Sequence, residues 1–200
     1  MDINDMNESF NSVFLVAVVR FMICIVFCLM ANYTDAKCLK IPNKLTFALL
    51  CTGLIFNVAS GMLFEGCEAV FKITAEWLAG LLPAFVLLPF YALRMIGAGD
   101  IKFFSALGAF TGWKYSFVII AGSFIASGII GVFVLMYRGI LKVRFKVMAR
   151  YLKMCIFTRS VLPYDAAEQP GEVKGRFAFS YGITIGTAAA ALLYYKINIV

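Results

Sequence analysis

Long apolar runs separated by short charged breaks organise the chain. Val13 to about Tyr33 is apolar apart from Arg20, Leu45 to Phe64 carries no charge, and Trp77 to Leu93 contains Pro83 and Pro89. A shorter run, Ile101 to Gly112, follows Asp100 and ends at Gly112-Trp113-Lys114. Tyr115 to Tyr137 is again charge-free, and Phe177 to Tyr195 closes the series. A helix needs about 20 mostly apolar residues to cross a bilayer, and lipid offers no partners for open strand edges. The pattern predicts an all-α polytopic membrane protein with about six transmembrane helices. It forms a single membrane-embedded domain over residues 1–200, with no internal repeat.

Composition agrees with this pattern. Hydrophobic residues make up 62% of the 200, charged residues only 14%, and mean hydropathy is +0.90. Soluble chains are about 25% charged, so a soluble globular fold is excluded. As a helix the fourth run reaches about 18 Å, against about 30 Å of hydrocarbon, and its crossing rests on topology. Lys37, Lys40 and Lys44 follow the first run, Arg94 and Lys102 flank Asp100, and Arg138 to Arg159 is basic without an acid. The positive-inside rule assigns all three clusters to the cytoplasmic side. The fourth run must then cross, and both termini lie outside. The net charge of +7 is thereby a topology signal, and no nucleic-acid partner is expected. The acidic first residues do not resemble the positive start of a cleaved signal peptide.

Within the last basic cluster, Leu141, Phe145, Met148, Leu152 and Cys155 recur at helical spacing, with Lys142, Lys146, Arg150 and Lys153 largely opposite. This predicts an amphipathic cytoplasmic segment over about 138–160, lying on the anionic lipids of the inner leaflet. Gly182, Gly186 and Ala190 in the last run, and Ser123, Ser127 and Gly131 in the fifth, are small-residue stripes that let helices approach closely. The six cysteines read as small hydrophobes. Arg20 is accounted for by snorkelling to the outer interface or by pairing with an outer acid such as Glu76.

The chain has no histidine and only 11 Asp and Glu. Ser–His and Cys–His nucleophile pairs and imidazole bases are excluded. Two acids stand apart from tails and outer loops. Asp35 lies in Tyr33-Thr-Asp-Ala-Lys-Cys-Leu-Lys-Ile-Pro-Asn43, and Asp100 in Ile96-Gly-Ala-Gly-Asp-Ile-Lys102. Topology sets both at the cytoplasmic interface, and ionisable groups at membrane depth carry function by default. Two close carboxylates cannot both ionise cheaply. The ionised one can take a proton from water while the protonated one polarises a carbonyl, as peptide hydrolysis requires. Gly97 and Gly99 would allow a tight turn and close substrate approach. Lys37 and Lys102, each two residues after an aspartate, are candidate carboxylate or substrate neighbours, or inner-leaflet anchors.

Gly97-Ala-Gly-Asp-Ile-Lys102, followed by Ala106-Leu-Gly108, resembles the GxGD signature of the type IV prepilin peptidases. Asp35 with Ile41-Pro42-Asn43 resembles that family's other aspartate motif. The resemblance implies a membrane aspartic endopeptidase that removes the leader peptide of type IV prepilins at the cytoplasmic face. Asp35 and Asp100 would be catalytic, with Gly97, Gly99, Pro42 and Asn43 as motif residues, and no metal or organic cofactor. The substrate would be a prepilin, met through its leader and its hydrophobic N-terminal helix. Larger members of the family add a cytoplasmic CxxC domain and methylate the product. No CxxC occurs in this sequence, which is similar to the peptidase-only forms of Flp/Tad pili. Ser180-Tyr-Gly182 stands where the family carries a proline-containing motif. The alternative is a small proton-coupled transporter or pilus-assembly factor using the same aspartates as a relay. A presenilin-type GxGD protease would need more spans and a Pro-Ala-Leu motif that the sequence lacks.

Overall fold

The computed structural model describes residues 3–38, 40–64, 69–158 and 179–199. The acidic Asp2, the residues Glu65, Cys67 and Glu68, and the polar loop Pro163 to Gly175 with Phe177 lie outside the described residues. Helix α1 runs Ile3–Cys38, α2 Asn43–Phe64 and α3 Ala69–Leu81. A 3-10 segment, Leu82–Leu87, leads into the short α4, Leu88–Ala92. Then come α5 Ala98–Thr111, α6 Trp113–Tyr137, α7 Leu141–Thr158 and α8 Ser180–Ile199. Among the described residues there is no strand, so the protein is all-α.

Among the described residues, four stretches are long and apolar enough to cross a membrane: Phe14–Cys38, Asn43–Leu63, Phe71–Ala92 and Trp113–Tyr137. The third combines α3, the 3-10 segment and α4. Proline has no N–H to give to the preceding turn, and Pro83 and Pro89 stand near the starts of the two later pieces. The chain tightens to 3-10 there and stays helical overall.

The short α5 is the centre of the molecule. Phe103, Phe104 and every residue from Ala106 to Thr111 are buried, and α1, α2, α3, the 3-10 segment and α6 all pack against it. Because other helices cover it, this helix presents little surface to lipid, and 14 residues suffice for its place in the core. Gly80 and Gly108 lie backbone to backbone where α3 crosses α5. The predicted small-residue stripes likewise meet: Gly182 rests against Ser123 and Ser127, and Gly186 against Ile119 and Ser123. Small side chains let α6 and α8 form the most extensive helix pair of the fold.

Two helix ends shape the connections. Ile140 N–H reaches Leu135 O at 3.1 Å and Gly139 N–H reaches Met136 O at 3.0 Å, with Gly139 at φ 67°. This is the Schellman arrangement that glycine favours. The end of α4 repeats it, with Met95 N–H on Phe90 O at 2.9 Å and Arg94 N–H on Tyr91 O at 2.8 Å, but Arg94 takes the left-handed position at φ 56°.

Helix α7 departs in detail from the predicted amphipathic pattern. Val147 and Tyr151 are buried in a small separate cluster with Met154 and Cys155, while Phe145, Met148, Leu152 and Ile156 form an exposed apolar stripe. Cys155 thus belongs to the inward face. The cysteines also divide. Cys24 and Cys28 are buried, as expected of small hydrophobes, whereas Cys38 and Cys51 are exposed.

Candidate functional site

Asp35 sits in the last turns of α1, and its side chain is only 6% exposed. Its Oδ2 accepts a hydrogen bond from the backbone N–H of Ser180 at 3.2 Å. Ser180 is the first residue of α8, where free N–H groups and the helix dipole present partial positive charge. Asp100 stands in the first turn of α5, just ahead of the apolar run. Gly97 caps that helix, and its N–H hydrogen-bonds back to the Asp100 carboxylate. This is the reciprocal half of a capping box.

Both aspartates line one cavity of about 980 Å³. Asp100 is pushed up to about 6 by its burial first and by the neighbouring Asp35 carboxylate second, against the pull of the Gly97 N–H. Part of the cavity wall is aromatic and comes from α4, α6 and the residue just before α8. Phe124 and Phe179 rings lie 5.5 Å apart, and Phe90 and Phe124 6.3 Å apart. Ser127 and Gly128 complete that side.

The second motif reaches the same place. Ile41 and Asn43 line the cavity, and Lys102 Nζ donates to Asn43 Oδ1 at 3.3 Å. Pro42 is exposed outside the lining, and its carbonyl accepts the N–H of Leu45 at 3.0 Å as α2 begins. Lys37 has other partners. Its Nζ donates to the Tyr33 hydroxyl and lies 4.2 Å from that ring's centroid, and it is absent from the cavity wall. Lys40 lines the cavity instead.

The glycines contribute space around the carboxylate and between the two motifs. Gly97 has an extended backbone that any residue adopts, φ −75° and ψ 145°, and Gly99 is helical. What Gly97 provides is space, because a Cβ there would stand 3.2 Å from Asp100 Oδ2. A Cβ on Gly99 would lie 3.5 Å from Ile41 O, an ordinary contact. This glycine therefore marks where the two aspartate motifs touch.

The Ser180 N–H and the three phenylalanines have no counterpart among the expected site residues. The phenylalanines are scattered over α4, α6 and the approach to α8 and share no spacing. The only signal at Ser180 is its place in the family motif. Among the described residues no group of three or more Cys, Asp or Glu side chains could hold a metal ion.

Fold and cavity together define a helical membrane protein in which two carboxylates line one cavity. Residues 22–132 match the type IV leader peptidase family, and the chain belongs to that family. It is 34% identical over 93 residues to a prepilin leader peptidase/N-methyltransferase of Pectobacterium carotovorum subsp. carotovorum, covering 46% of this chain and 33% of that protein. The corresponding Aeromonas hydrophila protein is 32% identical over 109 residues, covering 54% and 37%. Prepilin peptidase EppA of Methanothermobacter thermautotrophicus is 33% identical over 98 residues, covering 48% and 24%. The matches thus span about a third or less of these relatives' lengths. No solved structure gives a significant match.

Proposed function

We propose that this protein is a membrane aspartic endopeptidase that cleaves the leader peptide of type IV prepilins, of the Flp/Tad kind, without methylating the product. The observation that carries the reading is the single cavity shared by Asp35 and Asp100, with its aromatic wall. Asp35, beside the positive end of α8, is the carboxylate that takes a proton from the attacking water. Asp100, whose proton is held up to about pH 6, donates to the scissile carbonyl as the tetrahedral carbon forms. Collapse of that intermediate returns a proton to the leaving amide nitrogen and restores the pair. The wall of Phe90, Phe124 and Phe179 receives the apolar stretch next to the leader.

In this reading residues 1–200 act as one membrane-embedded unit of six crossings in the cell membrane. Both termini are outside and the aspartates face the cytoplasm. The basic α7, with Phe145, Met148 and Leu152 exposed, rests on anionic inner-leaflet lipids. Lys40, Lys102 and Asn43 form the polar rim against which the leader is held.

Co-expression with the cognate prepilin tests the assignment. The wild-type chain should convert it to the shorter product, and Asp35→Asn and Asp100→Asn should each leave it full-length. Processing by either variant would overturn the two-aspartate mechanism. Aspartate-dependent solute uptake beside an uncut prepilin would support the proton-relay alternative.

A further inference from the structure

A second cavity, of about 370 Å³, opens at the opposite end of the bundle. Arg20, Trp77, Trp113, Lys114 and Glu76 line it, and the loop at Gly112 where α5 gives way to α6 closes one side. On α1, Arg20 stands about 22 Å from Asp35 along the helix axis, so the two cavities are separate.

The chemistry of this second cavity is specific. Arg20 Nε and Trp77 Nε1 are both buried, and neither has a hydrogen-bond partner among the described residues. Buried N–H groups in native proteins are nearly always satisfied, and in lipid the requirement is stricter still. Glu76 shares the cavity without bonding Nε. Lys114, at the exposed mouth, lies 5.9 Å from the Trp113 ring centroid. Two cations against one carboxylate leave the cavity net positive, and two buried N–H donors in its lining await an acceptor. Glu76 also disfavours a ligand carrying two negative charges. Tryptophan and tyrosine favour the headgroup level of a bilayer, and Trp113, Tyr115 and Tyr194 line this cavity. Next to Arg20 on α1, Leu15, Val18 and Val19 are exposed apolar residues suited to acyl chains.

We propose that this cavity binds the phosphodiester headgroup of a membrane phospholipid, with Arg20 and Trp77 donating to the phosphate and Lys114 guarding the mouth. The site is independent of the peptidase reading, and it does not depend on which side of the membrane the aspartates face.

The two tryptophans of the chain both line the cavity, so intrinsic fluorescence reports on it directly. The full chain, purified in a neutral maltoside detergent, is titrated with dihexanoylphosphatidylglycerol and, separately, with dihexanoylglycerol and inorganic phosphate. The phospholipid should give a saturable change, and the phosphate-free diacylglycerol none. Arg20→Met should raise the apparent Kd about tenfold or more, as loss of a charge-assisted contact does. Lys114→Met, at an exposed position that does not threaten folding, should raise it about threefold. Circular dichroism checks that the Arg20 variant is folded. Absence of saturation, or both variants titrating like wild type, would overturn the proposal. Equal responses to diacylglycerol would make the cavity an apolar cleft, and inorganic phosphate binding as tightly as the lipid would make it a free-phosphate site. Either result defeats the headgroup assignment.

Discussion

Asp35 Oδ2 and the backbone N–H of Ser180 meet at 3.2 Å, and through this bond the first long helix is fastened to the start of the last. The bond is buried, and it fixes one carboxylate of the pair against α8. The side chain proposed to activate water therefore also holds the fold. Asp35→Ala leaves the Ser180 N–H without a partner and should destabilise the protein by about 1.5–3 kcal/mol. Asp35→Asn keeps an acceptor oxygen and should lose far less. Thermal unfolding of both variants in detergent checks the difference, and equal melting temperatures would contradict it.

Asp100 should act in the opposite sense. Its carboxyl is raised from an ordinary 3.8 to about 6 in the fold, so the native state holds this proton more tightly than the unfolded chain does. Between about pH 4 and 6 the unfolded chain has already released it, and stability falls as pH rises through that window. Above pH 6 the ionised, buried carboxylate costs about 3 kcal/mol at most. Asp100→Asn should therefore be more stable than wild type at pH 7.5 while being inactive, and its stability should change less between pH 4 and 6. Chemical denaturation at several pH values measures this.

The same proton governs rate. If Asp100 is the general acid, kcat/KM for prepilin cleavage should decline as pH rises through about 6, the value the free protein's cavity sets. A flat profile from pH 5 to 8 would remove Asp100 from that role.

Gly97 and Gly99 separate space from motif. A methyl on Gly97 would press on Asp100 Oδ2 at 3.2 Å, whereas one on Gly99 meets only ordinary contact with Ile41. A carboxylate displaced by a few tenths of an ångström costs rate. Gly97→Ala should thus lower kcat by about tenfold and Gly99→Ala by no more than about threefold. Initial rates at saturating prepilin read the contrast.

Hydropathy located α1, α2, the α3–α4 stretch and α6 because each faces lipid along much of its length. The same reasoning strained at Ile101 to Gly112, since a crossing judged by length assumes contact with lipid, and α5 is instead enclosed by its neighbours. Asp35 and Asp100 were legible because acids are so scarce in this chain. Lys37 shows that proximity in sequence does not fix direction: on α1 it turns towards Tyr33, while Lys40, beyond the end of that helix, lines the cavity. The Ser180 N–H is a backbone group, invisible in any residue pattern. The aromatic wall is assembled from α4, α6 and the residue just before α8, which only tertiary packing brings together.

Gly128 offers a way to close the substrate side of the cavity without touching the carboxylates. It lies on α6 beside Ser127, it lines the cavity, and a Cβ there would meet nothing within 4 Å. A leucine at this position is therefore accepted by the fold and adds bulk at the cavity lining. If the prepilin occupies that space, Gly128→Leu should raise KM by about tenfold, the effect of about 1.4 kcal/mol of lost binding, with the melting temperature unchanged. A variant that lowers kcat at constant KM would mean that the side chain disturbs the carboxylates. One with wild-type kinetics would mean that the substrate runs elsewhere.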